Sequence, residues 1–229
     1  MKLLFVSLLV TSLVITAVHA QQFLPEMEFL SMQKPGYLIT KDGQRLTVIL
    51  EKIRRKKGAI EGLTVKTADG KSVEYNAADL QEMGFPPADA AKGIAALESV
   101  GSVYRAKNSN MNEIKRDMVN FYHEYLSDQQ RDVLLQLLNP GFDNKIRVYH
   151  DPAAGQTSGV GFGPVMITGG LDKSYYIRKN NVAYRLRKGE YESKFKELYA
   201  DCPALATKYP ASAWRDFVRH VYDYDQACH

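Results

Sequence analysis

Two histidines of the chain stand next to a carboxylate, which is the pairing that acid–base catalysis uses. His123 precedes Glu124, and His150 precedes Asp151. An imidazole that a carboxylate orients acts as the general base of many hydrolases. Neighbouring residues of a strand point to opposite faces, so neither pair would act as a unit on a strand. A hydrolase site would therefore need His123, His150 and Asp151 to converge in space, and this is the alternative to a non-enzymatic function.

The glycine-rich stretches do not predict a nucleotide or cofactor site. A phosphate-binding loop needs a strand before it and a helix after it, whereas residues 159–163 (GVGFG) are followed by Pro164 and a β-prone stretch. Residues 169–174 (GGLDKS) imitate a nucleotide-binding motif, but Asp172 stands where a glycine must precede the lysine. The histidines show no HxxxH or HExxH spacing, so local spacing indicates no zinc site. We expect loops at both stretches, no cofactor and no metal ion, and we favour a non-enzyme.

The densest run of charge consists of Arg54, Arg55, Lys56 and Lys57. Such a run could bind a polyanion, for example an acidic glycan or lipopolysaccharide. Lysines also line exposed strand edges, where they prevent edge-to-edge aggregation, and we favour this second explanation. The formal net charge of +4 does not suggest a nucleic-acid binder, which would carry a concentrated basic face.

The two cysteines, Cys202 and Cys228, form an even pair near the end of the sequence. In an oxidising compartment such a pair predicts a disulfide; two free thiols or a metal pair are the alternatives. Residues 189–229 have helical patterns, but two simple antiparallel helices would leave the cysteines too far apart to be bridged. We therefore predict a third, short helix that Asp201 caps, with Cys202 and Pro203 in its first turn.

The first twenty residues have the pattern of a secretory signal peptide. Lys2 precedes an apolar stretch over residues 3–18, and Val18 and Ala20 suit the −3 and −1 positions of a cleavage site. The apolar stretch is short against the roughly 20 residues that a membrane-spanning helix needs, so we expect cleavage rather than an anchor. The predicted mature protein begins near Gln21, has no membrane span and resides in the periplasm or outside the cell.

Residues 21–85 predict a small β-module of short hairpins. Asp-Gly pairs at positions 42–43 and 69–70 each separate two β-prone runs, and Asp-Gly is a preferred pair for a type I′ turn. Asn76 can cap a single helical turn at residues 77–80 before a last strand. Several short strands in so few residues suggest a strongly curved sheet or a small barrel.

The middle of the chain divides into a connecting segment, 86–131, and a β-hairpin region, 132–188. The connecting segment is predicted to be partly helical: apolar residues over 111–125 recur at helical spacing, and we favour a helix there although they also alternate as in a strand. The clearest hairpin turns at the pair Asn180-Asn181, since asparagine tolerates the left-handed conformation. Tyr175 and Tyr176 are adjacent, so one is expected to face away from the core that holds the other.

Several short segments are similar to uncharacterised exported proteins of the Bacteroidetes phylum. They are LLNPGF (137–142), VYHDP (148–152), GLDKSYY (170–176), and DCP (201–203) followed by a cysteine at position 228. The resemblance covers most of the predicted mature chain. It implies export and paired cysteines, and it implies no activity.

Together these patterns predict an α+β protein with a small N-terminal β-module, a β-rich middle and a disulfide-linked helical C-terminus. The predicted segments are a signal peptide (1–20), the β-module (21–85), the connecting segment (86–131), the hairpin region (132–188) and the helical segment (189–229). The function that we favour is a non-enzymatic binding or structural module of the periplasm or cell exterior, acting through the β-surface of the hairpin region. An envelope protein or an acidic glycan would be its partner.

Overall fold

The computed structural model of the chain describes residues 23–27, 29–88, 118–155, 161–162, 165–166 and 172–228. Most regular elements in this part are strands. In chain order they are β1 (Pro35–Thr40), β2 (Arg45–Lys56), β3 (Ala59–Lys66), β4 (Ser72–Asn76), β5 (Leu80–Phe85), β6 (Val119–Leu126), β7 (Arg131–Gln136), β8 (Arg147–Tyr149), β9 (Gly161–Phe162), β10 (Val165–Met166), β11 (Ser174–Lys179) and β12 (Val182–Arg187). The helices are α1 (Lys188–Leu198), α2 (Pro203–Lys208) and α3 (Phe217–Ala227), with 3-10 turns at Ala77–Asp79 and Trp214–Asp216.

Six strands close into an antiparallel barrel in the order β2-β1-β5-β6-β7-β3, because β2 pairs with β3 as well as with β1. β4 extends the sheet beside β3. The barrel interior is filled by buried apolar side chains, among them Leu38, Leu50, Ile60, Leu63, Val65, Leu80, Met83 and Phe85. The predicted β-module therefore does not close by itself: the barrel needs β6 and β7, which come from residues 119–136.

The helix that apolar spacing favoured over residues 111–125 is wrong for residues 119–125, which belong to strand β6. Val119 and Phe121 of this strand pack into the barrel interior, whereas Tyr122 packs on the opposite face. Because both faces of the strand are covered, apolar residues occur on each face. Their combined spacing along the sequence resembles that of a helix. Residues 111–117 lie outside the described part of the chain.

The two Asp-Gly turns are not of type I′, the type that the sequence predicts. Among the residues of these two turns, the glycines alone take a positive φ, 86° at Gly43 and 83° at Gly70, whereas a type I′ turn needs two such residues. In both turns a threonine hydroxyl donates to the aspartate carboxylate two residues further on. The predicted hairpin at Asn180 and Asn181 does form a tight turn, with positive φ angles of 51° and 63°.

A three-stranded antiparallel sheet, in the order β12-β11-β8, lies between the barrel and the helices. Tyr176 packs into the cluster that faces the barrel, and Tyr175 packs into the cluster that faces the helices. The two side chains are 2% and 5% exposed. Each tyrosine thus faces away from the core that holds the other, as expected, and both are buried because this sheet has a core on each side. What the sheet leaves exposed is its edge strand β12, where Val182 is exposed.

The helical C-terminus has the predicted three helices, and the disulfide between Cys202 and Cys228 is formed with the two Cα atoms 5.6 Å apart. Cys202 rather than Asp201 occupies the cap position of α2, with Pro203 in the first turn. The Asp201 carboxylate instead accepts hydrogen bonds from Lys179 Nζ at 2.8 Å and Tyr224 Oη at 2.5 Å. The described part of the chain is thus mostly β with few helices, and the α+β description holds in its coarse outline.

Residues 23–27, the N-terminal strap, connect the two main cores. Phe23 contacts the rings of Phe142, Tyr175 and Phe217 in the core beneath the helices. Met27, at the other end of the strap, packs against the barrel core. No helix in the described part of the chain is long and apolar enough to cross a membrane.

Candidate functional site

The strap brings Glu26 to His150 and Asp172, and these three side chains form the candidate site. His150 Nε2 lies 2.6 Å from Glu26 Oε2. One nitrogen or oxygen atom of each of the three side chains lies within 4.8 Å of those of the other two. The Glu26 side chain is 41% exposed and that of His150 14%, so the site is open to solvent on the side of the strap.

Gln136, a buried residue at the end of β7, positions two of the three side chains. Its Oε1 accepts a hydrogen bond from Met27 N at 2.8 Å, and its Nε2 donates to Pro25 O at 2.9 Å. These two bonds hold the backbone on both sides of Glu26. The Gln136 carbonyl also accepts from His150 N at 3.0 Å. One amide residue therefore fixes the strap and the end of β8 relative to each other.

Asp172 reaches the site from the segment that leads into β11. Trp214 Nε1 donates to its carbonyl oxygen at 2.8 Å, and the next residue, Lys173, donates its backbone N–H to Gly155 O at 2.9 Å. The backbone on both sides of the Asp172 side chain is thus held by the helical region and by the loop after β8. Each member of the site comes from a different segment of the chain.

Charge is concentrated at this site and is mainly negative. The hydrogen bond from His150 lowers the pKa of the Glu26 carboxyl and outweighs the opposing effect of burial. Burial raises the pKa of the Asp172 carboxyl to about 6, and the carboxylates of Glu26 and Asp151 add to the rise while His150 opposes it. A third carboxylate close to two others is costly unless a cation or a proton compensates it.

Asp151 lies behind the site and has a structural role. It is 1% exposed, and its carboxylate accepts hydrogen bonds from Ser174 Oγ at 2.6 Å and Arg185 Nε at 2.5 Å. The backbone N–H of Ala153 donates to its other oxygen at 3.0 Å. These bonds tie the loop after β8 to β11 and β12, and they occupy both oxygens of the carboxylate.

His123 belongs to a separate cluster at the end of the barrel that carries the β1–β2 turn. Its Nε2 lies 2.7 Å from Asp132 Oδ1, and its Nδ1 lies 2.8 Å from Lys41 Nζ. His123 is two residues after Phe121 and so lies on the same, interior side of β6, whereas His150 lies beyond the end of β8, near Gln136. The structure therefore does not bring together His123 and the pair His150–Asp151.

Glu124 points to the other face of β6, as the alternation along a strand requires. It is 5% exposed and accepts hydrogen bonds from Tyr149 Oη at 2.7 Å and from Arg178 Nη1 at 3.1 Å. Burial, together with the charge of Glu124, raises the pKa of Tyr149 well above its ordinary value. This buried network joins the barrel to the three-stranded sheet, so the Glu124 carboxylate is structural.

The basic run at the end of β2 is partly compensated. Arg54 has carboxylates of Glu61 and Glu74 at 3.8 and 3.6 Å, and it donates to Asn76 Oδ1 at 2.6 Å. Lys56 lies 4.0 Å from Glu61. The other two predicted polyanion-binding residues are Arg55, whose Nη1 donates to Gly58 O at 3.0 Å, and Lys57, which takes a positive φ in the β2–β3 turn. Neighbouring carboxylates thus reduce the positive potential of this surface.

The glycine-rich stretches contribute little that is described. Gly161 and Phe162 form β9, which pairs with β10 as a short antiparallel hairpin rather than leading into a helix. Residues 169–171 of the nucleotide-like motif lie outside the described part of the chain. Asp172 is the one residue of that motif that the structure places in the candidate site.

Sequence reasoning found His150 and missed its partners. Glu26 has no motif around it, and Asp172 drew notice as a residue that spoils a phosphate motif. A site whose members lie so far apart in the sequence leaves no local spacing to detect. The sequence offered one signal only, the presence of both an acidic residue in the strap, Glu26, and the adjacent pair His150-Asp151.

No protein-family model, curated protein or solved structure matches this chain.

Proposed function

We propose that the protein is an exported, non-enzymatic binding or structural module of the periplasm or cell exterior. The observation that carries the proposal is the disulfide between Cys202 and Cys228, the two cysteines of the sequence. Disulfides persist in oxidising compartments and are rare in a reducing cytosol. A mature chain that folds after export would form this bond as part of its native structure.

The N-terminal strap supports the same proposal. The expected cleavage point lies just ahead of Phe23, whose ring packs between Phe142 and Phe217 in the core. Removal of a leader at this point would leave a short N-terminus that can dock across the protein. The strap would then assemble with the rest of the fold after translocation, when the leader no longer holds it at the membrane.

A binding or structural function fits the side chains better than hydrolysis does. His123 and His150 lie in different clusters with different carboxylate partners, and the Asp151 carboxylate is occupied by Ser174 and Arg185. Both faces of the central sheet are buried, so the surfaces that we propose for recognition are the strap with its exposed Glu26 side chain and the edge strand β12. An envelope protein is the partner class that we propose for these surfaces.

Export is tested by a matched pair of chains in the native host. One is the wild-type chain, and the other carries Leu8→Arg and Leu9→Arg, which interrupt the apolar stretch of the leader. We expect the wild-type protein in the envelope or medium, and the variant in the cytosol. Equal distribution of the two proteins would contradict export.

Binding is tested separately from export. Photo-crosslinkers placed at Glu26 and Val182 should capture the same envelope protein repeatedly, while a crosslinker at Asp69, in the β3–β4 turn, serves as the control. Turnover of ester, phosphate, peptide or glycoside substrates that His150→Gln abolishes would establish the hydrolase alternative instead.

A further inference from the structure

We propose that Glu26, His150 and Asp172 bind one divalent transition-metal ion, for which zinc is the representative. The proposal concerns this site alone and does not depend on where the protein resides. It rests on the geometry of the three side chains, on their donor atoms and on the charge around them.

The geometry requires only small adjustments of the three side chains. Ligands at about 2.1 Å from a tetrahedral zinc ion lie about 3.4 Å from one another. The three donor atoms already lie within 4.8 Å of one another, and the contact between His150 Nε2 and Glu26 Oε2 at 2.6 Å must open slightly. Glu26 can supply this movement because its side chain is 41% exposed. The ion would take the place of the direct contact between His150 Nε2 and Glu26 Oε2.

The donor set indicates the class of ion. One imidazole nitrogen and two carboxylate oxygens suit zinc and its neighbours among the divalent transition metals. Calcium takes six to eight oxygen ligands, and magnesium keeps a nearly all-oxygen octahedron, so an imidazole and three protein ligands fit neither well. Three protein ligands leave at least one position for water or for a group of a partner molecule.

The charge around the site favours a cation. Glu26 and Asp172 together carry the two negative charges that a divalent ion neutralises. The third carboxylate, Asp151, stays behind them in its bonds to Ser174 and Arg185, so it does not occupy the site and the Arg185 guanidinium compensates its charge. The carboxylates that are costly to hold close together would be compensated by the ion.

The cluster around His123 provides the matched contrast within the same chain. It too contains a histidine and an aspartate, but Lys41 Nζ lies 2.8 Å from the second ring nitrogen. The ammonium group supplies the positive charge that a metal ion would supply, and the other ring nitrogen is occupied by Asp132. We therefore expect no metal ion at His123, and His123→Gln is the control variant.

Metal binding would fasten the strap to the rest of the fold. Glu26 belongs to the strap, His150 follows β8, and Asp172 precedes β11, so an ion bound by all three joins three segments that are distant in the sequence. The ion would therefore protect the strap from proteolysis. It would also raise Tm by roughly 5–10 °C when free zinc is at about 100 times Kd.

The test is a calorimetric titration with Zn²⁺ of the purified protein, without a polyhistidine tag and after treatment with EDTA. We expect one ion per chain and a Kd below about 100 μM. Glu26→Gln, His150→Gln and Asp172→Asn should each weaken binding at least about 30-fold, since loss of even an outer partner of a metal site costs 10–100-fold. His123→Gln should leave Kd within about twofold, because additive effects are small at separate sites.

Two further measurements keep the test decisive. Circular dichroism without metal establishes that Glu26→Gln is folded, so its loss of affinity reports on the ligand. Co²⁺ should give a visible absorption band in the wild-type protein that is absent in His150→Gln. Binding weaker than the stated limit, or equal affinity in His150→Gln and His123→Gln, would overturn the proposal and leave Glu26 and His150 as a simple ion pair.

Discussion

Acidification should destabilise the protein through one buried side chain, His220 of α3. This histidine is 0% exposed and lies in an aromatic cluster, where the ring of Tyr209 is 4.2 Å away and that of Phe195 is 5.1 Å away, between centroids. Its Nδ1 contacts Tyr191 Oη at 2.6 Å, while its Nε2 has no hydrogen-bond partner among the described residues. The neutral ring is accommodated, whereas a charged ring would be buried with one N–H unsatisfied.

The size of this loss of stability follows from the pKa of His220. Burial lowers the pKa of His220 from 6.5 to about 4; the charged neighbours are Asp216 and Asp223, which oppose the shift, and Arg219, which adds to it. Between pH 6.5 and 4 the unfolded chain binds a proton that the folded chain does not, so stability falls as the pH falls through this window. The loss is about 3 kcal/mol at its full extent, and the dependence ends below the pKa of the folded state.

The assay is urea unfolding at several pH values between 7 and 4, with the disulfide intact, for the wild-type protein and for His220→Phe. The phenylalanine keeps a ring in the aromatic cluster and does not titrate. Its cost in lost hydrogen bonding to Tyr191 is the same at every pH, so it cancels from the comparison. The wild-type protein should lose about 3 kcal/mol more than the variant on acidification. Parallel pH profiles for the two proteins would refute the account of His220.

Two other predictions concern what holds the parts together. Replacing Cys202 and Cys228 by alanine should lower the free energy of unfolding by about 3.5 kcal/mol, on the chain-entropy relation for a loop closed between residues 26 apart; urea denaturation measures this, and an unchanged midpoint would show that the bond adds no stability. Glu124→Ala leaves Arg178 and the Tyr149 hydroxyl without their buried acceptor and should cost roughly 3 kcal/mol. The Arg178→Met/Glu124→Leu double variant should recover part of that loss, and failure to recover any would contradict the role given to the ion pair.

The features that sequence patterns predicted well depend on neighbouring residues. The 3-10 turn Ala77–Asp79 follows Asn76 as expected, and the hairpin at Asn180 and Asn181 turns where two residues that tolerate positive φ stand together. The disulfide could be predicted because one geometric requirement, a short helix beginning at Pro203, reconciled helical patterns with a bridge. Each of these inferences needs the chemistry of a few adjacent positions.

The features that sequence patterns did not predict depend on contacts between distant segments. The barrel also needs the pairing of β3 with β7, at Ile60 and Leu134, and the spacing around either residue does not indicate this. The central sheet buries both Tyr175 and Tyr176, because it has a layer on each side, which alternation within one strand cannot reveal. The site formed by Glu26, His150 and Asp172 could not be predicted either, because its three residues come from distant segments of the sequence.

Maturation of the chain in an oxidising compartment can be tested by measuring the intact mass of the protein recovered from its native host. We expect a mass equal to residues 21–229 less the two hydrogens lost from Cys202 and Cys228, in material from outside the cytosol. A full-length mass with Met1 retained, both thiols open to alkylation and a cytosolic location would contradict it.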